Sequence, residues 1–185
     1  MEEKNNTCSS PAEPNINWEG CDKRGADLAH ANLMGANLKH ANLNGANLTG
    51  AILIFADLNG ASLVKTNLRG ALLNGATLAG AKLNKADLSG ATLIFANLSG
   101  ADLNNTNLTG ANLISANLSD AGLKDANLRG ATLLGANLSK VNLREADLSG
   151  VNWGGIPFQD FLKTSGVTPK DKSADQSGRT TDAVA

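Results

Sequence analysis

Leucine stands at every fifth position from Leu28 to Leu148 without a miss. Alanine precedes it by two residues at 22 of these 25 places, with Thr66, Thr106 and Val141 as the exceptions. Between the two lies Asn twelve times and Asp five times, and the residue two after Leu is Gly thirteen times, so the unit reads A-(N/D)-L-x-G. A period of five suits neither regular element. Apolar positions at that interval precess by about 140° per step around a 3.6-residue helix and build no face. Gly and Asn at this density also disfavour helix. Within one unit, however, Ala and Leu are two apart, the strand period, so both point one way and the intervening Asn or Asp the other. The last two residues must then turn the chain, and Gly in second place suits a type II turn, which needs φ > 0 there. The pattern predicts a chain that bends after each three-residue strand, keeps Ala and Leu inside, and coils.

Twenty-five uninterrupted units, over about residues 26–153, resemble the pentapeptide-repeat family. The resemblance implies an all-β fold, a right-handed quadrilateral β-helix (a solenoid) with one pentapeptide per side, about twenty residues per coil and about seven coils. The number of sides has independent support. The residue after Leu is usually polar or small, yet Met34, Ile54, Ile94, Ile114 and Leu134 are large and apolar, and all five share one column at intervals that are multiples of 20. Phe55 and Phe95 flank that column 40 apart, and Ile52 and Leu72 intrude into the Asn/Asp position of the same side. A second column, Asp27, Asn47, Asn67, Asp87, Asn107, Asn127 and Asp147, has no exception.

The same register sets the domain boundaries. Residues 1–15 are expected to form an N-terminal cap or flexible segment, 16–155 the coil, 156–165 a short helical cap, and 166–185 a disordered tail. Trp18 and Trp153 extend the Leu column at either end, and Trp18 is placed to plug the first coil. Cys21 takes an inward, Ala-type position. Phe158, Phe161 and Leu162 follow Pro157 at helical spacing, and the segment beyond Gly166 is polar and without period. Stacked Asn side chains are expected to hydrogen-bond from coil to coil, as in other stacked sheets.

Charge and composition narrow the function. Sixteen basic and seventeen acidic residues leave a net charge of −1, so no long-range field steers the chain to nucleic acid. Some members of the family imitate duplex DNA and protect gyrase, which requires acidic stripes. Here residues 26–150 carry eight acids and nine bases, so mimicry is the weaker alternative to a neutral protein-interaction rod. No run of 18 apolar residues exists to span a membrane. Cys8, Cys21, His30 and His40 are metal-ligand types, but 12, 8 and 9 residues intervene, which fits no finger spacing, and His30 and His40 fall on opposite sides. No metal or cofactor is expected. With no nucleophile–base set, phosphate loop or acid pair, the chain does not read as an enzyme. Cys8 and Cys21 are either free thiols in a reducing cytoplasm, the preferred reading, or a disulfide that staples the cap in an oxidising compartment. The N-terminus is polar and acidic, unlike a secretory signal. The resemblance points to a bacterial, often cyanobacterial or plastid, setting. The expected location is the cytoplasm, with thylakoid lumen or periplasm as the alternative if a leader was removed. The apolar side, Met34, Ile52, Ile54, Phe55, Leu72, Ile94, Phe95, Ile114 and Leu134, is the candidate interface, for a homodimer or another protein. The plainer alternative is that these side chains only stack on one another.

Overall fold

A computed structural model describes residues 7–155. One-residue parallel bridges join the Asn/Asp positions at intervals of 20, from Asn17↔Asn37 to Thr132↔Asn152, with Gly122 and Asn142 the one pair left unbridged. A coil therefore takes 20 residues and has four sides, which we number from the pentapeptides 26–30 (side 1), 31–35 (side 2), 36–40 (side 3) and 41–45 (side 4). Three kinds of rung hold successive coils, one of them from the fifth-position N–H, as Phe55 to the Asn74 carbonyl (3.0 Å). The Leu53 N–H donates to the Leu72 carbonyl one coil on (2.7 Å), and the Leu72 N–H donates back to the Ala51 carbonyl (2.9 Å); this pair recurs around the rod.

Each corner is a hydrogen-bonded four-residue turn. The Ala56 N–H donates to the Leu53 carbonyl (3.0 Å), and the residue between them that precedes Ala has positive φ. From Gly20 to Gly150 every fifth-position residue but Glu145 has φ between 54° and 68°. Negative φ followed by positive φ is the sign pattern of the type II turn that the glycines predict. Non-glycine residues there, Phe55 and Phe95 among them, accept a left-handed backbone at about 1–2 kcal/mol each.

The interior is Leu and Ala from Leu33 to Leu143, closed at the N-terminal end by fully buried Trp18. Thr66 and Thr106 survive in the Ala column because their buried hydroxyls donate to the Leu43 and Leu83 carbonyls (2.8 Å each). An unpaired hydroxyl there would cost about 1–3 kcal/mol. The Asn/Asp side chains divide their work unevenly. A few bridge coils, as Asn47 Nδ2 to Asp27 Oδ1 (3.0 Å) and Asn117 Nδ2 to Asn97 Oδ1 (3.2 Å) do. Far more accept the backbone N–H two residues on, as Asn32 does from Met34 (3.2 Å) and Asp87 from Ser89 (2.9 Å). The main role of the Asn is thus a local Asx turn that stiffens the corner, and the coil-to-coil ladder is secondary.

The N-terminal end is covered by the 3-10 turn Thr7–Ser9, tied to the first coil by a Cys8–Cys21 disulfide with Cα atoms 5.4 Å apart. The expectation of two free thiols is thereby corrected: the cap brings Cys8 over an Ala-type position that only a small side chain could occupy. The Lys23 ammonium sits 3.6 Å from the Trp18 ring centroid, and its burial lowers its pKa. Near the other end the ladder parts. On side 4 the rungs from Leu123 N–H to Asn142 carbonyl, Asp125 N–H to Arg144 carbonyl and Asn142 N–H to Ala121 carbonyl are missing, and a cleft of about 140 Å³ opens between Gly122 and Asn142. The expected C-terminal helix and tail (156–185), and residues 1–6, lie outside the described residues.

Candidate functional site: the apolar side

The solenoid places all nine candidate residues on side 2. Among the described residues, the exposed large hydrophobic side chains are Met34, Phe55, Phe95 and Leu134, and all four belong to this side. Phe55 and Phe95 are 72% and 71% exposed. Ile52, Ile54, Leu72, Ile94 and Ile114 are half-buried, and the register sets Ile52 beside Leu72, Ile54 beside Met34 and Ile94 beside Ile114 in adjacent coils. The side thus has a packed apolar stripe with two projecting rings beside it. None of its seven pentapeptides from 31–35 to 151–155 contains a charged residue, whereas each of the other three sides carries several.

Building this side takes hydrogen bonds away from the scaffold. The N–H of the residue after Leu is normally served by the Asn or Asp two residues before it. Where that residue is not Asn or Asp, an Asn one coil back can serve instead: Asn44 for Val64 (2.8 Å), Asn59 for Ala79 (3.0 Å), Asn74 for Ile94 (3.2 Å) and Asn104 for Lys124 (2.8 Å). The relay serves Ile94 on side 2 but fails for other amides there, as it does for Asn84 on side 4, where Lys82 and Val64 stand in place of both acceptors. Ile52 and Leu72 replace the local acceptor for the amides of Ile54 and Asn74, and Met34 and Ile54 replace the acceptor one coil back, so neither amide has a partner among the described residues. The Thr92 hydroxyl, between the Leu72 and Asn112 rungs, is buried without a partner. Periodicity in the sequence locates the side; nothing in it reveals these forfeited bonds, which depend on which amide faces which oxygen across a coil.

The remaining candidates do not assemble. His30 and His40 lie on sides 1 and 3, each ring over the glycine one coil on, Gly50 and Gly60. Cys8 and Cys21 are joined to each other, and among the described residues no three His, Cys, Asp or Glu gather where they could hold a metal ion. Several acids of the other sides meet bases from adjacent coils: Asp57 with Lys39 (3.0 Å), Asp87 with Arg69 (3.6 Å), Asp147 with Arg129 (3.4 Å), Asp120 with Lys140 (3.5 Å). Burial pushes the Asp57 carboxyl up, but hydrogen bonds from the Asn59 amide, Lys39 and Thr77 outweigh it and leave the pKa lowered. No helix among the described residues is long and apolar enough to cross a membrane.

Twenty-residue coils, single-residue parallel rungs and a Leu/Ala interior define a four-sided β-solenoid scaffold. The model of pentapeptide repeats matches residues 19–50, 31–70, 51–90, 86–121 and 121–152, and the chain belongs to the pentapeptide-repeat family, whose right-handed quadrilateral β-helix it shares. Among solved structures it is similar to trypsin-treated QnrB1, a plasmid-mediated fluoroquinolone resistance protein, with a TM-score of 0.69 and 24% identity over 87% of this chain and 83% of that one. That likeness shows the fold. It also matches HetL, a pentapeptide-repeat protein involved in heterocyst differentiation regulation from the cyanobacterium Nostoc sp. strain PCC 7120, with 32% identity over 80% of this chain and 90% of that one and a TM-score of 0.43. Among curated proteins no match is found.

Proposed function

We propose that this protein is a non-catalytic scaffold that binds a protein surface through side 2. The observation that carries the reading is the confinement of every exposed large hydrophobic among the described residues to one charge-free side. Apolar residues also stand at 52 and 72, where Asn or Asp is usual, although the tube tolerates polar residues at the outward positions of the other sides. Binding a nucleic-acid enzyme by DNA mimicry, the alternative, lacks its electrostatic basis, because most of the coil's acids pair with bases and they are interspersed with bases along the coil. Affinity capture from the native host with wild type and a Phe55→Ser/Phe95→Ser variant tests the reading. The variant keeps the wild-type circular dichroism and loses the bound species; equal recovery by both proteins refutes it. The Cys8–Cys21 pairing supports an oxidising compartment, thylakoid lumen or periplasm, over the cytoplasm. A thiol titration of denatured, unreduced protein from its source reads no thiols in the first case and two in the second.

A further inference from the structure

We propose that side 1 pairs with side 1 of a second copy of this chain, the two rods lying antiparallel and matched by charge. This is a separate surface, independent of the reading of side 2. Two columns of residues carry it. The outward residues of side 1 read Asn-Thr-Gly, Asn-Arg-Gly and Asp-Ser-Gly in pentapeptides 46–50, 66–70 and 86–90, and again in 106–110, 126–130 and 146–150. The side therefore carries two equivalent ion pairs, Arg69–Asp87 (3.6 Å) and Arg129–Asp147 (3.4 Å), three coils or about 14 Å apart. The column at the corner leading into side 1 reads Lys65, Lys85, Asn105, Asp125, Glu145. Among the described residues Lys65, Lys85 and Asp125 join no ion pair, and Glu145 reaches only Lys124 (3.5 Å).

Both columns reverse sign about the same coil, the one that holds Asn105 and Thr109. A two-fold axis through that coil, running across the rods, lays each column onto itself in reverse. Arg69 then faces the partner's Asp147, Asp87 the partner's Arg129, Lys85 the partner's Asp125 and Lys65 the partner's Glu145. Over the five coils no charge of either column meets its like. Each Arg–Asp pair is set against its inverse, so four alternating charges close a square, twice per dimer. Facing sheets lie about 10 Å apart, which an Arg and an Asp side chain span together. The signs disfavour the other arrangements. Parallel rods would bring Arg69 level with the partner's Arg69. An axis between Arg69 and Asp87 keeps side 1 matched but sets Lys65 on the partner's Lys85.

Over these five coils side 1 and its corner column present twenty residues, none of them buried, the low end of the ~20–30 residues a side of a standard interface. Glycine at the far corner of all five coils leaves nothing to hold the faces apart. A lone exposed ion pair contributes little, but each Arg and Asp of the squares enters already paired within its own rod, so none is stripped of water alone. With no aromatic anchor, the dimer is in the micromolar range or weaker and is sensitive to salt.

Sedimentation equilibrium of the full chain, from micromolar to millimolar concentration, tests this. Wild type dimerises, and raising salt from about 30 to about 500 mM weakens the dimer by roughly tenfold or more. Arg69→Glu/Arg129→Glu makes side 1 wholly acidic and Asp87→Lys/Asp147→Lys makes it wholly basic, so each variant alone loses association by roughly a hundredfold or more. An equimolar mixture of the two recovers it. Lys82 already occupies the matching position on side 4 with its rungs to Ala61 (2.9 Å) and Leu83 to Asp102 (2.8 Å) intact, and circular dichroism checks that each variant is folded. If the Asp variant unfolds, Lys85→Glu and Asp125→Lys, whose side chains make no scaffold hydrogen bond, form the complementary pair. A wild type that stays monomeric at millimolar concentration and low salt overturns the proposal. So does a dimer that the reversals leave intact, or a mixture of folded variants that fails to recover association. Phe55→Ser/Phe95→Ser should dimerise as wild type does; loss of the dimer there would place it on side 2 and overturn the assignment to side 1.

Discussion

Opening the Cys8–Cys21 bond, by reductant or by Cys8→Ser/Cys21→Ser, removes the covalent tie between the Thr7–Ser9 turn and the first coil. The cysteines are 13 residues apart, and closing a loop of that size stabilises the folded form by about 3 kcal/mol. In a stack of repeats each coil touches only its neighbours, so stability is a sum of local terms and the loss stays near the bond. The amides of Trp18, Gly20, Lys23 and Gly25, which donate to the carbonyls of Asn37, Lys39, Asn42 and Asn44, report on this end. Their hydrogen exchange should quicken by about 10²-fold on reduction, which is what 3 kcal/mol amounts to. Leu88 and Leu93, several coils away, should exchange at unchanged rates. No change at the first coil would mean that Trp18 and its rungs hold that end unaided. An equal acceleration along the whole rod would refute coil-by-coil stability.

Further outcomes follow from the interior, the corners and the acids. Leu88→Ala should cost about 4 kcal/mol in urea unfolding, because rungs on both sides stop the tube from collapsing onto the cavity, whereas Leu148→Ala, half-buried among the described residues, should cost about 1 kcal/mol. Gly75→Ala should be more destabilising than Gly80→Ala although both have φ near 64° (64° and 63°), since only Gly75 lies under the Phe55 ring; the difference should vanish in a Phe55→Ser background. Hydrogen bonds from the Ser149 hydroxyl and amide, with the charge of Arg129, hold the Asp147 carboxyl below its ordinary 3.8. Its folded pKa is the lower one, so its stabilising share is present above pH 3.8 and lost as pH falls through the folded value. An acid titration followed by circular dichroism should lose that share in Asp147→Asn.

The strict period made the coil legible, because a single residue gained or lost would throw every later Leu out of the tube. The apolar side was legible for the same reason: twenty-residue columns sort Ile54, Ile94 and Phe95 onto one side without any structure. What period cannot convey is which atom meets which. The sequence shows that Asn recurs, not that its oxygen turns back to the amide two residues on in preference to the next coil. Two cysteines in an irregular segment carry no pairing constraint until the chain entering the coil has a shape. The ladder gap was equally hidden, since Gly122 and Val141 are each a mild departure, and Val151, also in the Ala position, leaves the neighbouring Asn152–Thr132 bridge intact.

That gap also gives the rod a mechanical polarity. At one end a covalent clip and a buried indole seal the stack; near the other, three consecutive rungs are missing and the Lys124–Glu145 contact of 3.5 Å spans the opening. Under tension applied through its two termini the rod should therefore unwind from the C-terminal coil. It should do so one 20-residue turn at a time, each turn releasing up to about 65 Å of chain, with the clipped end giving way last.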